Sequence, residues 1–361
     1  MRIFKSVLLL GILMLCSLFI AACGSDEDAG AGSTEETVYK LKSSIQSPKE
    51  ANLSKGFDAY LDEIEERSDG RIEFERYYSE SLVKAADHAN AVGSGIGDIA
   101  LLVPGYTPAN NPLGTIESMP ALWKDQWTGT RAMLDLYNEF PELKEEYQNQ
   151  GIEVVGTWAL PSYYVISTQD VSSFDDIKGQ KVVAAGSQSI LAEALEATPV
   201  GIVITESFEA MERGAVDGAL LGLTSSATYG IQEVAESVWQ LPIGSQAGVI
   251  GINKEKFDEF PEDLQKIFDE VALQNAVDFH EVYQIEGEEA AMQKYVDAGV
   301  KMNEATEEDI AELQDIARTS VWETWINSSD KDSELAQKVL DRFIELIAEY
   351  DAEFQEQGLP E

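Results

Sequence analysis

The chain has 361 residues and carries 66 Asp and Glu against 25 Lys and Arg, a formal net charge of −41. Phosphate backbones are held by clustered cations, so this balance excludes nucleic acid as a partner. Only Cys16 and Cys23 supply thiols, which leaves the rest of the chain without a disulfide, a thiolate metal site or a cysteine nucleophile.

The first segment addresses the chain. Arg2 and Lys5 precede an apolar run from Val7 to Ile20, followed by Ala21, Ala22 and Cys23. A basic start, an apolar middle and small residues before a cut make up a secretory signal. The run falls short of the roughly 20 apolar residues that span a bilayer. Its end, Ile20-Ala21-Ala22-Cys23, resembles a bacterial lipobox, in which the cysteine receives a diacylglycerol and the signal, here 1–22, is removed. The expectation is an extracytoplasmic chain, at the cell surface or in the periplasm, that meets the membrane only through lipid on Cys23. Residues 23–37 are small, acidic and aperiodic, the composition of a flexible linker.

The folded part is expected from Val38. VYKLKSSI alternates as a strand does, and the helix after it repeats Leu53, Phe57, Tyr60, Leu61 and Ile64 at helical spacing, with Gly70 as its stop. RIEFERYY alternates again, SLVKAADHANAVGSG reads as a short helix, and DIALLVP as a buried strand. Residues 104–130, rich in Pro, Gly and Trp, read as loops at strand ends. A helix from Thr130, the strands IEVVGTWAL and YYVIST, and then KVVAAG, SILAEALEA, PVGIVI, TESFEAMERG and AVDGALLGL continue the alternation of strand and helix. GVIGINKEKF closes the sheet pattern, and from Pro261 onward the chain reads as almost wholly helical.

Alternating strands and helices indicate an α/β fold with a largely parallel sheet. The pattern occurs twice, over 38–158 and 160–245. The predicted architecture is a two-lobe clamshell like that of periplasmic binding proteins, with a hinge-spanning helix near 261–298 and a helical C-terminal part. Lobe I is expected over 38–158 plus 247–280, and lobe II over 159–246 plus 281–361 with the C-terminal helices. Such a molecule closes on a ligand held between its lobes.

The catalytic options are poor. The two histidines, His88 and His280, fall within separate predicted helices, where a packed or surface histidine is the ordinary outcome. No H-E-x-x-H, G-x-S-x-G, Walker or Rossmann pattern occurs. The glycines of GSGIG at 93–97 precede a strand instead of opening a helix, so they form a turn. Carboxylates are so abundant that no single pair stands out; Asp125 and Asp217 read as turn or solvated residues. No catalytic residue, metal ligand or cofactor is predicted, and the chain is read as a binding protein and not an enzyme. The acids are spread along helices and not gathered in loops, which suits solubility better than cation storage.

Five blocks in order carry a resemblance. They are EERSDGRIEFERYY, SLVKAADHANAVGSGIGDIALLVPG, ESMPALW, FDDIKGQKVVAAG and TESFEAMERGAVDGALL. Together they resemble the solute-binding proteins of tripartite ATP-independent periplasmic (TRAP) transporters, of the dicarboxylate-binding DctP type, over nearly all of 38–325. The resemblance implies a protein that captures a small organic solute and passes it to membrane subunits driven by an ion gradient.

Two departures bear on the solute. The family's carboxylate-gripping arginine falls at Val183 here, and a second arginine falls near Tyr163. An arginine fork is the natural reader of a carboxylate, and the nearest alternatives are Lys181 and Arg213. Matching the family's pocket blocks places Gln46, Tyr106, Trp158, Tyr163, Val183, Phe208 and Leu221 at the ligand. That set is aromatic and neutral. It suits an amine caged by cation–π attraction, or an uncharged, partly apolar solute. A carboxylate binder using another cation, and a co-receptor that reports solute to a signalling partner, stay open beside these.

Overall fold

The structure, a computed structural model, describes residues 37–328 and 332–359. The segments read from the sequence as a signal (1–22), an anchor cysteine (Cys23) and a linker, as far as residue 36, lie outside the described residues.

Two sheets organise the unit that begins at Val38. The first contains β1 (Tyr39–Ser44), β2 (Ile72–Tyr77), β3 (Ile99–Leu102), β4 (Ile152–Ala159) and β10 (Ala247–Asn253), in the order β2-β1-β3-β10-β4. The second contains β5 (Tyr164–Ser167), β6 (Lys181–Val183), β7 (Thr198–Val200), β8 (Gly218–Leu221), β9 (Ser237–Gln240) and β11 (Lys301–Glu304), in the order β11-β9-β5-β8-β6-β7. Each is largely parallel with one strand reversed. In the first sheet β10 runs against both β3 and β4. In the second, β5 runs against both β8 and β9.

The reversed strands mark where the chain changes sheets. It crosses directly from strand to strand between β4 and β5, through residues 160–163, and returns between β9 and β10, through residues 241–246, before the helices after β10 carry it back to β11. The two crossings are bonded to each other: Leu160 N–H donates to Gln246 O (2.8 Å), Tyr163 N–H to Gly244 O (2.6 Å) and Ile243 N–H to Tyr163 O (3.1 Å). Ser245 Oγ adds a bond to Pro161 O at 2.8 Å. Backbone pairing therefore continues across the junction of the sheets, where buried amides would otherwise lack partners.

Helices cover the faces for reasons visible in their sequences. Helix α1 (Asn52–Arg67) buries Phe57, Tyr60, Leu61 and Ile64, one face of a 3.6-residue period, and keeps acids outside. Helix α2 (His88–Ser94) is short. Helix α3 (Gln126–Glu139) is capped by Asp125, whose carboxylate accepts from Thr128 N–H at 2.8 Å. Pro141 opens α4 (Pro141–Gln148), where its missing N–H costs nothing. The second half holds α5 (Phe174–Ile177), α6 (Ser187–Ala194), α7 (Ile204–Glu212) and α8 (Leu223–Thr228), and α9 (Lys254–Asp258) follows β10.

Beyond Pro261 lies one continuous helical rod: α10 (Glu262–Phe279), a π-helical segment (His280–Ile285) and α11 (Glu286–Asp297). Its first part packs on α1, α3 and β4, and its last part on α8, so it spans both halves. The π segment carries an extra residue in the turn. Asn52 Nδ2 donates to the Val282 carbonyl at 2.9 Å, serving a group that the altered ladder displaces.

Helices α12 (Glu307–Ile316), α13 (Glu323–Ile326) and α14 (Ser333–Gln357) complete the described chain. Helix α14, grouped with lobe II in the sequence reading, packs instead on α3 beside the first sheet. Its Phe343 meets the Trp123 ring at 5.6 Å between centroids, and Tyr350 and Phe354 meet Trp127 at 5.5 and 5.7 Å. Fully burying a side chain such as Phe343 contributes roughly 1.5–3 kcal/mol, and Tyr350 and Phe354 add partly buried aromatic contacts.

Candidate ligand-binding site

A partly enclosed cavity lies between the sheets, at the carboxyl ends of strands from both. Gln46 and Ser47 follow β1, and Tyr106 follows β3. Val183 ends β6, and Leu221 ends β8. Strand ends leave side chains and loops free to converge, so open α/β sheets place their ligands there. Trp158 of β4, with Tyr163 and Gln246 of the crossings, completes the wall facing the junction. About 40 Å³ is open to the centre of a water molecule, on the order of three waters. The room suits a compact solute.

Six of the seven residues expected at the ligand meet at this cavity: Gln46, Tyr106, Trp158, Tyr163, Val183 and Leu221. Phe208 does not. It sits half-buried on α7, packed against the core in the neighbourhood of Gly230, away from the wall.

Each wall residue is held by its surroundings. Trp158 is 1 % exposed and donates its indole N–H to Val249 O at 3.3 Å, so it offers the cavity a ring. The ring lies so close to β10 that a Cβ on Gly248 would sit 2.9 Å from it and 2.1 Å from Leu102 O. Only glycine fits there. Tyr163 donates its phenol to Gln246 Oε1 at 3.1 Å. Tyr283, on the π segment, bonds Ser225 Oγ at 2.8 Å. Burial drives the phenols of Tyr163 and Tyr283 above their ordinary range, so both stay neutral.

Among the described residues no charged side chain lines the cavity. Lys181 is exposed, with its strand fixed by Asp217, whose carboxylate accepts from Lys181 N–H at 2.8 Å. Arg213 is exposed and faces Glu209 at 3.6 Å. Neither reaches the cavity wall. One carboxyl is buried nearby in the chain: Glu117, fully enclosed, accepts from Gly105 N–H (3.1 Å) and Ala247 N–H (3.4 Å). Burial pushes its pKa well above the carboxylate range despite those bonds.

Hydrogen bonds also join the segments that carry the two sheets. Ser187 of α6 donates its N–H to Ser118 Oγ and its hydroxyl to Thr115 O, both at 2.8 Å. Ser47 and Tyr229 meet at 3.3 Å, and Thr205 donates to Glu80 Oε1 at 3.3 Å. Gly186 makes the first contact possible. Its φ of +57° is left-handed, and a Cβ there would lie 2.3 Å from Ser118 Oγ.

Sequence reasoning missed Gln188, Gln246, Tyr229 and Tyr283, all at the cavity. The glutamines carry no periodic signal, and Tyr283 sits where a π turn resets the helical register. His88 and His280 lie elsewhere, both buried, and burial lowers the pKa of each. Among the described residues no group of three or more His, Cys, Asp or Glu is arranged to hold a metal.

Comparison with known proteins agrees with this geometry. A family model described as bacterial extracellular solute-binding protein, family 7 (DctP), matches residues 43–328. A solute-binding protein of Albidiferax ferrireducens is 26 % identical over 288 residues, covering 73 % of this chain and 78 % of its own. Among solved structures, a TRAP solute-binding protein from Rhodoferax ferrireducens with copurified benzoate superposes with a TM-score of 0.79. It is 20 % identical and covers 87 % of this chain and 99 % of its own. A marine metagenome TRAP solute-binding protein specific for aromatic acids, with 3-hydroxybenzoate, gives 0.78 at 19 % identity, with the same two coverages. These likenesses establish the clamshell fold.

Proposed function

We propose, from the premise that the chain belongs to the DctP family of bacterial extracellular solute-binding proteins, that it captures one compact organic solute in the cavity between its sheets. Members of the family bind solutes and are not enzymes. The solute would then be delivered to TRAP-type membrane subunits. The lobes, 38–158 with 247–280 and 159–246 with β11 and α11, would close about the paired crossings, with α14 riding on the first. A lipid on Cys23 would tether the acidic body outside the cytoplasm.

The observation that carries the reading is the partly enclosed cavity at strand ends of both sheets, walled by Gln46, Tyr106, Trp158, Tyr163, Val183 and Leu221 with no charged side chain among the described residues. An unpaired carboxylate buried there would lose several kcal/mol of hydration with no cation to offset it. We therefore favour a neutral or amine-bearing solute. A second reading, a carboxylate binder using another cation, draws on the benzoate and 3-hydroxybenzoate held by the similar structures.

A thermal-shift screen of carboxylates, amines, polyols and neutral aromatics tests both. A true ligand at about 100 times its Kd adds roughly 2.7 kcal/mol of stability. A hit among neutral or amine solutes supports the favoured reading. A carboxylate hit moves it to the second, and no hit in any class counts against solute capture itself.

A further inference from the structure

The cavity wall holds three primary amides, Gln46, Gln188 and Gln246, each less than one-tenth exposed. Two have their orientation set by neighbours. Gln246 accepts the Tyr163 phenol on Oε1 (3.1 Å), which leaves its NH₂ without a partner among the described residues. Gln188 donates from Nε2 to Ser245 O (3.1 Å), which leaves its carbonyl oxygen without one. Gln46 takes no side-chain hydrogen bond among the described residues at either end. These free ends face the space of the cavity that water can enter, and a ligand that takes the water's place must supply matching hydrogen bonds or lose them. The wall thus combines an oriented donor, an oriented acceptor and a third amide that can serve as either.

The charge of the ligand follows from the same groups. A carboxylate carries acceptors alone. It would set its lone pairs against the Gln188 carbonyl and would find no cation. An ammonium carries donors alone. It would set N–H against the Gln246 NH₂, and the buried carboxyl of Glu117 is already occupied by Gly105 and Ala247 N–H groups. A carboxamide or lactam carries one C=O and one N–H side by side, and is neutral. Trp158, Val183 and Leu221 supply the apolar surface for a ring.

We propose that the solute is an uncharged carboxamide or lactam on a single-ring scaffold, with Gln246 donating to its carbonyl and Gln188 accepting from its N–H. This rests on the solute-binding reading above and narrows it.

The test is calorimetry on the intact protein in detergent with two matched series. One is benzamide, benzoate and benzylamine. The other is cyclohexanecarboxamide, cyclohexanecarboxylate and cyclohexylmethylamine. The expected result is binding of at least one carboxamide, with its matched acid and amine weaker by about 100-fold or more, because a site built to hydrogen-bond one group rejects analogues lacking it. Gln188→Met and Gln246→Met should each weaken that carboxamide by about tenfold or more while the circular-dichroism spectrum is kept. Preference for the acid or the amine overturns the inference and leaves solute capture standing. Unchanged affinity in both Met variants overturns the assigned residues. Failure of all six compounds also overturns the inference, and the broad thermal-shift screen then decides the solute-binding reading separately.

Discussion

The phenol of Tyr163 donates to the amide oxygen of Gln246 at 3.1 Å, joining the two segments where the chain passes between its sheets. Both residues are buried, at 2 % and 9 % exposure. The bond holds the crossings together and fixes which end of Gln246 is free. Tyr163→Phe should therefore cost about 1–3 kcal/mol, the penalty for orphaning a buried acceptor. Urea denaturation checks this, and an unchanged midpoint would mean that the amide turns to another partner.

Gly248 should resist any side chain. A methyl group there would collide with Leu102 O and the Trp158 ring. Gly248→Ala is expected to lower stability by about 1–3 kcal/mol and to disturb the cavity wall. Gly201→Ala is the matched control, since nothing lies within 4 Å of its Cβ position and its φ lies outside the left-handed range. Melting temperatures of the two variants should separate clearly.

Glu288, on the rod that spans both halves, has its carboxyl pushed up to about 7 by burial. The folded state then binds a proton that the unfolded state, titrating near the ordinary 4.5, has released. That preference favours the fold at low pH and is lost as pH rises from about 4.5 to about 7. Glu288→Gln cannot ionise. It should melt close to the parent below pH 4.5 and at a higher temperature at pH 8, with a gain of order 1–3 kcal/mol. A parent–variant difference that ignores pH would contradict this.

A charge of −41 repels itself within a compact body. Most ion pairs are exposed, such as Arg342 with Glu139 at 2.7 Å and Lys338 with Glu334 at 2.8 Å, and contribute little. Added salt screens the repulsion more than it weakens these pairs. The melting temperature should rise between about 0.05 and 1 M sodium chloride, and calorimetric scans across that range check it; a flat or falling melting temperature would contradict the repulsion argument.

The block resemblance in the sequence implies that the family's carboxylate-gripping arginine falls at Val183, and a substitution tests that proposal. Val183→Arg should destabilise the empty protein, by about 3–5 kcal/mol where the buried guanidinium finds no partner. Benzoate should then stabilise the variant and leave the parent unaffected. Equal stabilisation of both by benzoate would show that the parent holds a carboxylate by other means.

Local patterns made the alternation of strand and helix readable, because a buried run such as Ile99–Leu102 or the apolar face of α1 is written in consecutive residues. Direction and pairing are not. Nothing within β5 or β10 declares that it runs against its neighbours, and β11, Lys-Met-Asn-Glu, is a polar edge that becomes a strand only by pairing with β9. β11 went unread for that reason, and β9, Ser-Val-Trp-Gln, because four residues are too few to show a period of two. At the cavity, positions ending strands were legible through the block alignment, as Val183 and Leu221 illustrate. Gln188 and Gln246 were not, since a polar residue at a loop or helix start reads as solvated until the opposite sheet covers it. Phe208 followed the helical period into a different contact, beside Gly230.

The central claim is that one solute occupies the cavity between the sheets, and filling that cavity tests it most directly. Leu221→Trp enlarges a wall residue where only about 40 Å³ is open to a water's centre. Titration calorimetry with the best stabiliser from the screen should give one site per chain in the parent and no measurable binding in the variant, with the circular-dichroism spectrum unchanged. One-to-one binding of undiminished affinity in the variant would place the solute elsewhere and contradict the account.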